Sequence, residues 1–88
     1  MGETREFSMD VVVDEDAERT EAKVLLRLGQ REFAAWGRAR RNPEDPNVPV
    51  IGEELALARA MNEMAHRLVE AAADAIESFE GRPVDIHV

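Results

Sequence analysis

The apolar positions of this chain change period once, between Asn42 and Ile51. Before that stretch they alternate with polar residues, as strands do; after it they return every three or four residues, as on a helix. The joint reads NPEDPNVPVIG, with three prolines in seven positions and then a glycine. This pattern predicts an α+β fold: a three-stranded antiparallel β-meander with one long C-terminal helix packed on one of its faces.

Strand 1 is predicted over 6–14, with Phe7, Met9, Val11 and Val13 on one face and Ser8, Asp10, Val12 and Asp14 on the other. The acidic stretch Asp14 to Glu18 turns the chain. Strand 2 follows over 20–28 with Ala22, Val24, Leu26 and Leu28 inward. Gly29-Gln30 suits a two-residue type II′ hairpin turn, which fixes the register of strand 3 over 31–40. Leu26 then faces Phe33 and Val24 faces Ala35. On the outer face the same register opposes Arg27 to Glu32, Lys23 to Trp36 and Glu21 to Arg38, two charge pairs and one cation–aromatic pair.

The inner row of strand 3, Phe33, Ala35, Gly37 and Ala39, is mostly small and invites a close backbone approach by the helix. After a proline-rich linker over 41–51, the helix is predicted over 52–80. Glu53 and Glu54 would lie at its positive end, Gly81 would be a left-handed cap and Pro83 would block continuation. Ala58, Met61, Ala65, Leu68, Ala72, Ile76 and Phe79 form its apolar stripe. Such a helix is about 40 Å long, whereas a nine-residue strand covers about 30 Å. It therefore either overhangs the sheet, leaving Ile76 and Phe79 for a second subunit to cover, or breaks near Ala73-Asp74. The tail over 83–88 alternates again through Val84, Ile86 and Val88, as an extra edge strand would.

The totals narrow the classes. Eighty-eight residues make one domain, near the lower limit for a core without staples. There is no cysteine, so disulfides and thiolate metal sites are excluded. A formal net charge of −8 opposes general binding to nucleic acid or anionic membranes. No apolar run approaches the roughly 18 residues that span a bilayer. The first ten residues lack a signal core, and Glu6 breaks the myristoylation pattern. These features predict a cytoplasmic protein.

The segments DEDAERTEAKVLLRL (Asp14 to Leu28), GRAR (Gly37 to Arg40) and NPEDPNVPVIGEELALARAM (Asn42 to Met61) resemble a family of short actinobacterial proteins classed as a domain of unknown function. The fold of that family resembles the double-stranded-RNA-binding domain. The resemblance implies a three-stranded sheet, a C-terminal helical part, homodimers, a stress or dormancy setting and a form similar to ribosome-hibernation factors. It implies no enzyme activity, cofactor or catalytic residue. Trp36 and Arg38 stand where apolar residues would be expected in that family.

Catalysis needs convergent groups, and this chain offers few. It has no Tyr, and its serines Ser8 and Ser78 and its histidines His66 and His87 fall in unrelated elements. No catalytic, cofactor-binding or metal-binding residue is assigned. The loop acids Asp14, Glu15, Asp16 and Glu18 lack the spacing of a calcium hand, and Glu63, Glu70, Asp74 and Glu77 read as a solvated helix face. Two surfaces remain. Val12, Leu25, Ala34 and Trp36 should cluster on the outer sheet face, and with Ile76 and Phe79 they form the candidate interface. Trp36 beside Arg38, Arg40 and Arg41 is the candidate RNA contact. The leading reading is a non-catalytic homodimeric interaction module with a further protein partner of unknown identity; the alternative is a ribosome- or RNA-associated factor.

Overall fold

The structure is a computed structural model and describes residues 2–44, 46 and 48–81. Its elements are β1 (Met9–Glu15), β2 (Arg19–Leu28), β3 (Arg31–Arg40) and α1 (Pro49–Glu80). The strands form one antiparallel sheet in the order β1-β2-β3, with α1 on one face, an α+β fold. Beyond Met9 the chain would have to pair with the hairpin end of β2, and β1 starts there, three residues later than the alternation suggests. The tail over 83–88 lies outside the described residues.

Two turns set the register. Gly29 takes a positive φ of 63°, the conformation that glycine adopts without strain, and the pairs Leu28↔Arg31, Leu26↔Phe33 and Val24↔Ala35 follow as predicted. At the other turn the Asp16 carboxylate accepts the backbone N–H groups of Glu18 at 2.8 Å and Arg19 at 3.0 Å. This Asx-type closure holds the Asp16 carboxyl below the usual carboxylate range, chiefly through the Glu18 amide and then that of Arg19.

The core is thin. Ala22, Val24 and Leu26 of β2 and Ala35 and Ala39 of β3 are buried against Ala56, Ala60 and Met64 of α1. Its closest point is Gly37, where a Cβ would run into the Ala56 carbonyl oxygen and the Ala60 amide nitrogen and lie 2.9 Å from the Arg59 carbonyl carbon. Only glycine permits that approach. The helix therefore seats on its small residues, and this corrects the predicted stripe: Ala58, Met61 and Ala72 are exposed, because the buried face lies roughly a quarter turn away around the axis.

The helix also starts earlier than predicted. Pro49 occupies the first turn after an extended Val48; proline suits that position because its missing N–H would have no partner there. Glu53 and Glu54 consequently fall beyond the first turn, which contains no acidic residue. α1 runs unbroken through Ala73-Asp74 to Glu80 and ends at Gly81, whose φ is 71° and whose N–H bonds the Glu77 carbonyl at 2.7 Å. Its 32 residues make it about 48 Å long, against about 33 Å for a ten-residue strand, so its last turns project past the hairpin. Phe79, on that projection, is 93% exposed.

Candidate protein-interaction surface

The outer sheet face carries all three predicted cross-strand pairs. Arg27 and Glu32 approach to 3.3 Å, Arg38 Nε donates to Glu21 Oε2 at 2.6 Å, and the Lys23 ammonium lies 5.6 Å above the Trp36 ring centroid. On the inner face, Arg31 lies 5.2 Å over the ring of Phe33. The register brings Val12, Leu25, Ala34 and Trp36 together on the outer face. Leu25 and Ala34 are half-buried there, while Val12 and Trp36, the latter 42% exposed, stand open. Lysine over the indole makes this patch partly charged. Ile76, by contrast, is half-buried on α1 and lies far from it.

The arginines proposed for RNA are largely committed. Arg38 is held by Glu21, and Arg41 Nε donates to the Ala17 carbonyl at 2.9 Å. Arg40 stays exposed beside its cross-strand partner Arg19. His66 is exposed and hydrogen-bonds the Asn62 carbonyl oxygen at 2.8 Å. Among the described residues no group of three or more His, Asp or Glu is placed to hold a metal ion.

The larger open surface is on the helix side. α1 packs chiefly on β3 and β2, and of β1 only Met9 is packed against the core. Val11 and Val13 share the inner face with Val24 and Ala22, yet they are 46% and 38% exposed. Phe7 is exposed at the same end of the sheet as Met9. The helix has a free flank to match. Arg59 Nη1 donates to the Arg38 carbonyl at 2.6 Å, which marks the β3 side of α1. Met61, Leu68, Ala72 and Phe79 lie roughly opposite Arg59 around the axis and so border the uncovered row of β1. These residues are all apolar in a chain that is 34% charged, with Glu15 closing the β1 row at its turn end. Two signals in the sequence pointed here: the alternation of β1, and the excess of apolar residues on α1 over what one narrow face can bury.

Three strands followed by a single C-terminal helix, with no assembled catalytic or metal-binding group among the described residues, define a small sheet-and-helix module. The Rv2632c-like family model matches residues 5–85, and the chain belongs to that family. It is 40% identical over 76 residues to the uncharacterized protein Rv2632c of Mycobacterium tuberculosis, covering 86% of this chain and 82% of that protein. It is 38% identical over 77 residues to the uncharacterized protein Mb1767 of Mycobacterium bovis, covering 88% and 82% respectively. The crystal structure of Rv2632c superposes with a TM-score of 0.84 at 35% identity, over 93% of this chain and 98% of that one. These relatives carry no assigned chemistry. Among the described residues no helix is long and apolar enough to cross a membrane.

Proposed function

We propose that this protein is a non-catalytic, cytoplasmic interaction module that works as a homodimer, built through the helix side of β1. The single observation behind this reading is the pair of exposed apolar stretches, Val11 with Val13 on β1 and Met61 with Ala72 on α1, both left open on one side of the molecule. A second copy is the occupant that answers both. Val11 and Val13 of β1 lack a covering helix, and α1 has a flank without a sheet. A twofold axis between them lays each helix flank on the partner's β1, so that one patch serves both subunits. Asp10 and Asp14 of β1 project to the other face of the sheet, whereas Glu15 shares the face of Val11 and Val13 and bounds the contact at its turn end. The resemblance drawn from the sequence adds a setting in stress or dormancy physiology.

Sedimentation equilibrium over a concentration series tests the reading. A dimer is expected at micromolar concentration, unaffected by raised salt because the contact is apolar. A species that stays monomeric at the highest concentrations removes it.

A further inference from the structure

β1 is an edge of the sheet, and the direction of its backbone groups is fixed. Where β1 turns into β2, the Asp16 N–H bonds the Arg19 carbonyl at 3.0 Å. Counting back along the register, Asp14, Val12 and Asp10 turn their N–H and C=O groups toward β2. Met9, Val11, Val13 and Glu15 therefore turn theirs outward, where the described residues supply no partner.

An open strand edge is a template for another strand, and proteins commonly blunt it with proline, lysine, a bulge or a cover. β1 reads MDVVVDE, with neither proline nor lysine. Its pairing with β2 runs one to one, without a bulge. The valine run Val11 to Val13 suits a strand well. The other edge differs, because on β3 the Arg38 carbonyl accepts a hydrogen bond from Arg59.

The acids of β1 decide which strand fits. In an antiparallel pairing with β1 of a second copy, outward-turned residues must meet one another, so the twofold axis passes through a residue. With the axis at Val12, Asp10 faces the partner's Asp14, and with the axis at Asp10 the two Asp10 carboxylates meet. Like charges directly opposite are unfavourable in a sheet. With the axis at Val13, Glu15 lies against the partner's Val11 on the apolar face. The axis at Val11 avoids all three. Val11 then faces the partner's Val11, Met9 faces the partner's Val13, and Asp10 faces the partner's Val12. Asp14 falls opposite the partner's Ser8, and Glu15 opposite the partner's Phe7.

We propose that β1 pairs antiparallel with the partner's β1 about a twofold axis at Val11, joining the two three-stranded sheets into one. This rests on the dimer reading above and specifies its backbone. Met9, Val11 and Val13 of both copies form one continuous apolar row on the inner face, bordered on each side by the Met61 flank of an α1.

Amide hydrogen exchange of the full chain, followed across the dilution series, tests the pairing. The Met9, Val11 and Val13 amides should exchange at least about tenfold more slowly in the dimer than in the monomer. The Asp10 and Val12 amides, already bonded to β2, should change less. A dimer whose Val11 amide exchanges as in the monomer overturns the strand pairing and leaves the dimer standing; a chain that is monomeric throughout ends both. Protection of these amides in the monomer also overturns the pairing, since the edge is then filled from within one chain. Val11→Pro removes an outward N–H, which an edge strand tolerates, and should abolish the dimer while the chain stays folded. Unchanged dimerisation of that variant counts against the pairing. The chain has no cysteine, so single cysteines report the register, and they carry the test if Val11→Pro does not fold. Facing Cα atoms of a hydrogen-bonded pair lie about 5.5 Å apart, within disulfide reach, so Val11→Cys should cross-link between subunits under mild oxidation. Val13→Cys, roughly 14 Å from its counterpart in this register, should cross-link far more slowly. Equal rates at the two positions, or a faster rate at position 13, overturn the register.

Discussion

Gly37 and Ala56 meet backbone to backbone: a Cβ on Gly37 would run into the Ala56 carbonyl oxygen. No side chain separates α1 from β3 at that point, so the spacing between helix and sheet is set by the main chain itself. The small residues around it, Ala35 and Ala39 on the strand and Ala60 on the helix, are buried because the two elements are already that close. Position 37 therefore tolerates nothing larger than hydrogen.

Gly37→Ala should lower stability by about 1–3 kcal/mol through overpacking, and Gly37→Val by more. In a chain of this size each kcal/mol corresponds to about 4–8 °C in melting temperature. Thermal melts followed by circular dichroism check this. A curve that does not move would mean that α1 can lift off β3 at no cost.

The dimer proposed through β1 separates from a dimer through the outer sheet face. Val11→Asp or Met61→Asp should raise the dimer dissociation constant by at least about tenfold, because each places a charge in an apolar contact. Trp36→Glu should leave it unchanged. Trp36 is the single tryptophan of the chain, so its emission should stay constant as the wild-type protein is diluted through dissociation. An emission shift on dilution, with Trp36→Glu blocking assembly, would move the interface to the outer face.

The Asp16 turn should make stability depend on acid pH. Its carboxyl is held below the usual carboxylate range by the Glu18 and Arg19 amides, so the ionised form is favoured in the folded state. That contribution is present at neutral pH. It is lost as pH falls below the ordinary aspartate value of about 4 and through the lower folded value. Asp16→Ala should therefore unfold at lower urea than wild type at pH 7, and the difference should shrink on acidification. A gap that widens with falling pH would contradict this sign.

RNA binding should be absent at physiological salt. Arg38 is paired with Glu21, and the chain carries a formal net charge of −8. Non-specific contacts reach only about 10⁻⁴–10⁻⁶ M even in basic proteins. Filter binding with duplex RNA and with ribosomes should show no retention for wild type or for Arg38→Glu with Arg40→Glu. Submicromolar retention lost in the double variant would reverse the ranking of the two functions.

The sheet was legible because its signals are local. Gly29-Gln30 specifies a turn, the turn specifies a register, and the register brought Lys23 to Trp36 and Glu21 to Arg38. The seating of the helix was harder to read. Hydropathy favours the flank with Met61, Leu68 and Phe79, but the contact at Gly37 requires the flank with Ala56 and Ala60. Shape overrode hydrophobicity there, and the consequence was a misread face and an apolar surface left outside. The start of α1 was displaced for a related reason: Pro49 reads as a breaker in a linker, yet it is well suited to a first helical turn.

Arg59, by reaching over to the Arg38 carbonyl, treats the two borders of the sheet differently. β3 has one carbonyl on its border taken by its own helix. In the language of polymer chemistry, an open strand border is a reactive end, where each free acceptor is a point at which another strand can couple. Strand-edged proteins that leave such ends bare are prone to run on into fibres. A guanidinium laid across the border removes one of those coupling points at Arg38, so a strand added there would find its ladder interrupted.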